Sequence, residues 1–379
     1  MNQLVAINLP PSNRLVDLIA NCWANGDAVA VLDPRSPSVR NGERLRVLGA
    51  HWLIDHDGSH HLETNAPHLP SDARIVITTS GTTGPPKAIV HTESNLIASA
   101  RAIAERLALT ETDVWFCPLS PAYIGGLAVI ARALLLGNPL HISGHLDQGS
   151  VDDALSHGAT RTVAVSAALT SVDLHGFRTV LLGAQPPPDQ VPSNAIVTYG
   201  MTETGSGVVY DGVPLNGVEA RIVDGIIELR GPMIAQRYRD DTPIVGPDGW
   251  LITGDLGAFA PDGTLQVLGR ASEVINSGGH KVNPLRVEAA LRAHYGAALG
   301  DLCVVGTADE RFGEAVTLAT TTEHPPNLEQ VRLDLTTLER WELPRRIMTV
   351  PAIPRTETGK PMRRTLGEML FPDLTDEAS

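Results

Sequence analysis

The chain has 379 residues, 42% of them hydrophobic, and a formal net charge of -14 from 43 acidic and 29 basic residues. Such a length and apolar content suffice for a full buried core and exceed one ordinary domain, so a globular protein of two domains is expected. The acidic balance opposes the counterion release on which nucleic-acid binding depends and gives little attraction to anionic lipid, which leaves a small molecule as the better-fitting partner.

Cys22, Cys117 and Cys303 are too scattered for a disulfide framework or a metal-ligand cluster, as expected for a reducing compartment. The segment Met1-Asn2-Gln3-Leu4-Val5 has no basic stretch leading into an apolar run. The longest apolar segment, Gly126 to Leu136, is short for a membrane span and contains Arg132. A soluble cytoplasmic protein without membrane insertion is expected, and its state as monomer or oligomer is left open.

In chain order, the β-branched run Arg74-Ile75-Val76-Ile77-Thr78 predicts a buried strand of a parallel sheet, and it runs directly into Thr79-Ser80-Gly81-Thr82-Thr83-Gly84-Pro85-Pro86-Lys87. Helices are predicted over Glu93 to Leu109 and Gly126 to Leu136, and a second buried strand over Arg178 to Leu182. That alternation is an α/β pattern. Pro186-Pro187-Pro188 is a short loop. From about Val218 the pattern changes to short strands with Asp-Gly turns, at Asp224-Gly225 and Asp262-Gly263, which predict an antiparallel portion. Asn283-Pro284 then opens a helix. A boundary near Ser272 divides the chain into a large domain, 1–271, and a small one, 272–379.

The loop from Thr79 to Lys87 can offer backbone N–H groups and hydroxyls to phosphate oxygens, and Lys87 adds charge. It lacks the Gly-Lys-Ser/Thr ending of a Walker loop. The string Thr-Ser-Gly-Thr-Thr-Gly-x-Pro-Lys resembles the signature of the adenylate-forming superfamily, which unites acyl-CoA synthetases, peptide-synthetase adenylation domains and luciferases. Ala88 stands where that family usually has Gly.

Further segments resemble the family in its own order. Gly183-Ala184-Gln185 is similar to the segment that lies along adenine. In Tyr199-Gly200-Met201-Thr202-Glu203-Thr204, the resemblance implies that Tyr199 packs on adenine, Thr202 touches the α-phosphate and Glu203 helps hold magnesium. Asp255, in Gly249-Trp250-Leu251-Ile252-Thr253-Gly254-Asp255, matches the residue that binds the ribose hydroxyls, with Arg270 as its partner. Pro354-Arg355-Thr356-Glu357-Thr358-Gly359-Lys360 resembles the loop that carries the catalytic lysine. The resemblance covers roughly residues 70 to 365 and implies a large N-terminal domain of parallel-rich sheets and helices with a small antiparallel portion. A small mobile α+β domain follows.

A carboxylate attacks the α-phosphorus of ATP poorly because both are anionic, so a site for that reaction needs cations where charge grows; Lys360 is the candidate, with Glu203 as a hard oxygen ligand for Mg²⁺. Ser272 occupies the position of the family's hinge residue, where Asp or Lys is common. Asn276-Ser277-Gly278-Gly279-His280-Lys281 resembles the loop past which pantetheine reaches the acyl group, with Gly279 as the key position. Coenzyme A is therefore the leading thiol acceptor, beside ATP and a small carboxylic acid.

The short stretch ahead of the phosphate loop resembles compact 2-succinylbenzoate-CoA ligases of menaquinone synthesis. Ser120-Pro121-Ala122-Tyr123-Ile124-Gly125-Gly126-Leu127 aligns with that group's Pro-Leu-Phe-His-Ile-Ser-Gly-Leu, and Tyr123 takes the place of the histidine. The acid pocket is expected around Tyr123, Gly125, Gly126, Ser206 and Gly207, without a visible group for a second substrate carboxylate. Other aryl or acyl acids, a stand-alone adenylating enzyme that loads a carrier protein or an amine, and a degenerate nucleotide-binding protein are the alternatives. The histidines, including adjacent His60-His61, show no metal-ligand spacing and read as structural or exposed.

Overall fold

The computed structural model describes residues 2–79, 86–184, 190–356 and 359–371, with Ala167 described by its backbone alone. They group into two compact units. The first comprises Met1–Arg221, Glu228–Ile252 and Pro261–Leu265; the second comprises Ile222–Ile227, Thr253–Ala260 and Gln266–Ser379.

The first unit contains two mixed sheets. One has six strands in the spatial order Ser59–His61, Trp52–Ile54, Leu4–Ile7, Ala28–Val31, Ala73–Thr78, Ala88–Thr92. Its small residues Ala6, Ala28, Ala30, Ala73 and Ala88 pack with Leu4, Val76 and Leu48, the last from helix Ser38–Leu48. The strand predicted over Arg74 to Thr78 is Ala73–Thr78. It runs parallel to Ala28–Val31 on one side and antiparallel to Ala88–Thr92 on the other, with Thr78 opposite Ala88. That register sets Thr79 and Lys87, the described ends of the Gly/Ser/Thr segment, side by side.

The other sheet has seven strands in the order Val213–Pro214, Ser206–Tyr210, Ala195–Met201, Thr179–Gly183, Arg161–Val165, Trp115–Cys117, Leu140–Ile142. Thr179–Gly183, the observed form of the second predicted strand, is buried between two parallel neighbours. Asp211-Gly212, with φ of 49° and 76°, turns Ser206–Tyr210 into Val213–Pro214, because both central residues of this turn type need positive φ.

Helix Glu93–Leu107 begins at Thr92, whose hydroxyl accepts the Asn95 N–H while the Asn95 side chain accepts the Thr92 N–H. It ends two residues short of the expected Leu109, because Ala108 adopts φ 47° and closes the last turn. Helix Ile124–Leu136 is apolar on nearly every face and accordingly buried, Arg132 included.

Four strands then follow one another in chain order, Glu219–Val223, Ile226–Arg230, Leu251–Phe259 and Leu265–Arg270. Asp224-Gly225, with φ of 50° and 80°, makes the first turn as its composition predicts. The second unit has a five-stranded sheet in which His280–Val282, Ile275–Ser277, Gly313–Thr320 and Leu302–Asp309 are consecutive neighbours and Arg346–Thr349 also pairs with Gly313–Thr320. Helix Pro284–Tyr295 starts where predicted. The Asn283 side chain accepts the Leu285 N–H, Pro284 opens the first turn, and Val287 and Leu291 pack on Ile275, Val304 and Leu318.

Among the described residues no helix is long and apolar enough to cross a membrane. The three cysteines are buried and free, and burial pushes the Cys117 and Cys303 thiols up to about 12.

Candidate active site

At the base of the hairpin loop the Thr79 N–H donates to the Lys87 carbonyl at 2.8 Å. Ser80, Gly81, Thr82, Thr83 and Gly84 lie outside the described residues. Residues 237–239 run along the far side of the strand that follows the loop. The Arg239 N–H donates to Ala88 O at 2.7 Å, the Val90 N–H donates to Arg237 O at 3.3 Å, and Ile89 bridges Tyr238. Ala88 is only 2% exposed, so a small side chain suits the packing of this strand. This pairing sets Tyr238 beside Lys87, whose Nζ is 4.8 Å from the ring centroid. Burial, the charge of Glu203 and the hydrogen bond between the Tyr238 hydroxyl and the Glu203 carboxylate together raise the Tyr238 pKa. Lys87, Tyr238 and Glu203 are therefore one contiguous polar group.

Glu203 sits in the short 3-10 turn Thr202–Thr204 that follows strand Ala195–Met201. Thr204 is fully buried and its hydroxyl organises the turn, accepting the Met201 N–H at 2.8 Å and lying 2.7 Å from Ser206 O. His91, from the hairpin's second strand, secures it from the other side. Its Nε2 is 2.8 Å from Thr202 O, and because a carbonyl only accepts, Nε2 carries the proton. Burial pushes the His91 pKa down to about 4, so the ring is neutral near pH 7. Tyr199 is half-buried, and a bulge falls between it and Gly200. Gly200 is required by close approach, since a Cβ there would lie 2.1 Å from Ser206 O; at Gly207 it would lie 2.8 Å from Thr198 Cβ. Gly183 ends the neighbouring strand, and exposed Ala184 follows with φ 67°. Gln185 lies outside the described residues.

Tyr123 is half-buried at the start of helix Ile124–Leu136, with the Arg44 guanidinium 5.9 Å from its ring centroid. Gly125 is exposed. A Cβ at Gly126 would lie 2.5 Å from Leu119 O and 2.6 Å from Ser120 O, so that glycine lets the helix start approach the preceding loop.

Farther along the helix, Arg132 is 4% exposed with its guanidinium 4.7 Å from the Trp115 ring centroid. Among the described residues its Nε and Nη1 have no hydrogen-bond partner and it pairs with no carboxylate. Burial pulls its pKa down. It lines a cavity of ≈ 10 Å³ with Ser99, Ala128, Ala131 and Gly205, the residue that ends the Glu203 turn.

In the second unit Asp255 is 6% exposed and pairs with Arg270, Oδ1 to Nε at 2.8 Å. The Asp255 N–H donates to the Thr253 hydroxyl at 3.0 Å, and Arg270 Nη1 donates to Thr253 O at 2.9 Å, so two side chains fix one segment of strand. Ser272 lies in the 3-10 turn Ala271–Glu273. Gly278 and Gly279, with φ of 60° and 84°, form the turn between two short antiparallel strands. A Cβ on Gly279 would meet nothing within 4 Å among the described residues, so its requirement here is conformational.

Lys360 is exposed, in a loop clipped at its base. The Thr356 N–H donates to Lys360 O at 2.8 Å and the Lys360 N–H donates to the Thr356 hydroxyl at 3.1 Å. Arg355 donates to Gly359 O at 2.8 Å and to both Asp301 oxygens at 2.7 and 2.8 Å. Just beyond, Arg363 ties helix Arg363–Leu370 to Glu273 at 3.0 Å and to buried Glu288.

Tyr238, His91, Thr204, Arg355 and Arg132 were not among the residues singled out for the site from sequence. Arg132 left a visible signal, a lone charge in an apolar helix. Tyr238 and His91 left none, since their partners lie more than a hundred positions away or on another strand.

Residues 54–238 match the AMP-binding enzyme family. A probable 2-succinylbenzoate–CoA ligase of Mycobacterium tuberculosis is 38% identical over 331 residues, covering 79% of this chain and 85% of that protein. The 2-succinylbenzoate–CoA ligase of Listeria monocytogenes serotype 4b is 31% identical over 403 residues, covering 97% of this chain and 85% of its own length. Among solved structures, the o-succinylbenzoate CoA synthetase of Bacillus subtilis in complex with its acyl-adenylate intermediate shares the fold with a TM-score of 0.84 at 24% identity, over 96% of this chain and 88% of that one. ATP-bound MatB from Rhodopseudomonas palustris does so with a TM-score of 0.84 at 21% identity, over 97% and 89%. With identity of this extent along most of its length, the chain belongs to the AMP-binding enzyme family, in the group of AMP-forming acid–CoA ligases that includes the 2-succinylbenzoate–CoA ligases.

Proposed function

We propose that this protein joins 2-succinylbenzoate to coenzyme A in two steps, as in menaquinone synthesis. The acid's carboxylate attacks the α-phosphorus of ATP, giving acyl-adenylate and pyrophosphate; the thiol then attacks the acyl carbon, giving the thioester, AMP and a proton. The names of the relatives support the substrate class, and Arg132 is the observation that carries it to this chain. An aromatic acid with a second carboxylate calls for an apolar slot and one cation. Arg132 is a buried cation with two unpartnered donors beside the Glu203 turn. The cavity it lines has room for about one water, which can relay a hydrogen bond from the guanidinium toward the acid.

The other assignments follow the chemistry each residue can do. Thr79 to Lys87 cradle phosphate, with Lys87 supplying charge. Thr202 contacts the α-phosphate. Glu203 is half-exposed and held by Tyr238 on one side and by the His91-secured turn on the other, and its hard carboxylate oxygen suits Mg²⁺. When bound, that ion neutralises phosphate charge. Tyr199 and Gly183 to Gln185 take adenine, Asp255 takes the ribose hydroxyls with its carboxylate oriented by Arg270, and Lys360 stabilises the charge that develops at the α-phosphorus. Tyr123, Gly125, Gly126, Ser206 and Gly207 line the acid pocket. Ser272 is the hinge, and Gly278 and Gly279 let pantetheine pass.

The test is acid-dependent pyrophosphate release from ATP across 2-succinylbenzoate, benzoate and short aliphatic acids, followed by thioester formation with coenzyme A. The expected result is a clear preference for 2-succinylbenzoate with thioester as product. Equal release with benzoate would remove the substrate assignment, and accumulation of adenylate without thioester would remove the acceptor.

A further inference from the structure

His141, Asp153 and His157 take no part in the assignments above. His141 lies on strand Leu140–Ile142 at the edge of the seven-stranded sheet, while Asp153 belongs to helix Gln148–Ser156 and His157 caps its C-terminal end. From the spacing of the histidines alone no metal ligands were expected. The fold changes this by laying the helix end against the edge strand, so that one ligand atom from each of the three residues lies within 4.8 Å of the others.

Asp153 faces both rings: its Oδ2 is 3.0 Å from His141 Nε2, while His157 Nδ1 donates to the Asp153 main-chain O at 2.8 Å and lies 3.5 Å from Oδ1. The rings are stacked, 5.3 Å between centroids at 25°. His141 is the anchored member, its side chain 24% exposed and its ring 5.8 Å from Phe116. Asp153 and His157 are four residues apart at the helix end, a spacing that puts both on one face, and they are 56% and 62% exposed. Among the described residues the only ion pairs of Asp153 are with these two histidines, so no Lys or Arg competes for its carboxylate.

We propose that His141, Asp153 and His157 form a surface site for a divalent transition-metal ion of the zinc type, with solvent completing its coordination. Two imidazoles, which are borderline donors, outnumber the one hard carboxylate oxygen, and a set of that kind favours zinc over magnesium. Tetrahedral zinc places its ligand atoms roughly 3.3 Å apart, from bond lengths of about 2.0–2.2 Å, so the three groups need only small side-chain rotations to converge. Each imidazole must give up the proton or contact it now shares with Asp153, and the metal then links the helix end to the edge strand. Because binding requires the folded arrangement, the ion stabilises the fold by mass action.

The test is zinc titration by calorimetry of the chelator-treated full-length protein in excess Mg²⁺, with thermal unfolding recorded with and without zinc. One ion is expected per chain, with a zinc-dependent rise in Tm. His157→Ala and Asp153→Asn, both at exposed side chains, are each expected to weaken binding roughly tenfold or more and to remove the Tm rise. His141→Ala should do the same, and its unfolding without zinc reports whether it still folds. Unchanged zinc affinity in His157→Ala would place the ion elsewhere and overturn the proposal, as would absence of binding by the unaltered protein.

Discussion

Replacing Arg132 by Met separates two consequences of one buried charge. Of the two guanidinium donors without protein partners, one can bind the cavity water and the other costs about 1–3 kcal/mol, while loss of the cation–π contact with Trp115 offsets about 1–2 kcal/mol. Met is similar in length and apolar, so the ligand-free variant should hold its stability or gain up to about 2 kcal/mol, read as an equal or higher urea midpoint by tryptophan fluorescence. Activity should move the other way. A carboxylate one water away from the guanidinium is about 6 Å from its charge, and at an effective dielectric constant of about 20 that attraction is worth about 3 kcal/mol. The variant should lose about 100-fold in kcat/KM for 2-succinylbenzoate while benzoate changes by less than about threefold. A lower urea midpoint together with equal losses for both acids would refute the reasoning, since Arg132 would then be a structural residue with partners of its own.

The pH dependence of stability should carry the signature of His91. Its folded pKa is about 4 against an ordinary 6.5, so as pH falls the unfolded chain takes up the proton first. Stability is thus fully present above about pH 6.5 and declines toward pH 4 by on the order of 3 kcal/mol. His91→Gln keeps a donor for Thr202 O and should flatten that slope in urea midpoints; an unchanged slope would exclude His91 as its source. Lys360→Ala should cripple adenylation, followed by pyrophosphate exchange, while thioester formation from supplied acyl-adenylate stays within about threefold. Arg355→Ala should give the same one-sided pattern at roughly tenfold, because it releases Gly359 O and Asp301 beside the lysine. Equal loss in both half-reactions would show that either variant acts through general destabilisation. Gly200→Ala forces a Cβ against Ser206 O and should cost about 1–3 kcal/mol, measured by urea unfolding; full stability would mean that the turn yields freely.

The segments proposed for the site are legible in the sequence because their signals are local. The loop from Thr79 to Lys87, the Thr202-Glu203 turn and the Lys360 loop each lie within a few consecutive residues. Their roles came from resemblance, because nothing in a Thr or a Glu alone declares a phosphate or a magnesium ion. Asp255 and Arg270 were also paired by resemblance, and the structure brings them to 2.8 Å. The partners that hold these groups were not legible. Tyr238 reaches Lys87 and Glu203 through a single strand bridge to Ile89, and His91 reaches Thr202 across two sheets. Arg132 was conspicuous in sequence, yet only its surroundings show that its donors lack partners.

By itself the sequence determined what depends on residues a few positions apart: the Asp224-Gly225 turn, whose two positive φ angles those residues tolerate, and the helix start at Asn283-Pro284. Tertiary structure decided what depends on register and burial. A strand's alternation says which side chains face inward but not which strand lies beside it. The pairing of residues 237–239 with 88–90, the neutral His91 and the convergence of His141 with His157 therefore exist only once the chain is folded.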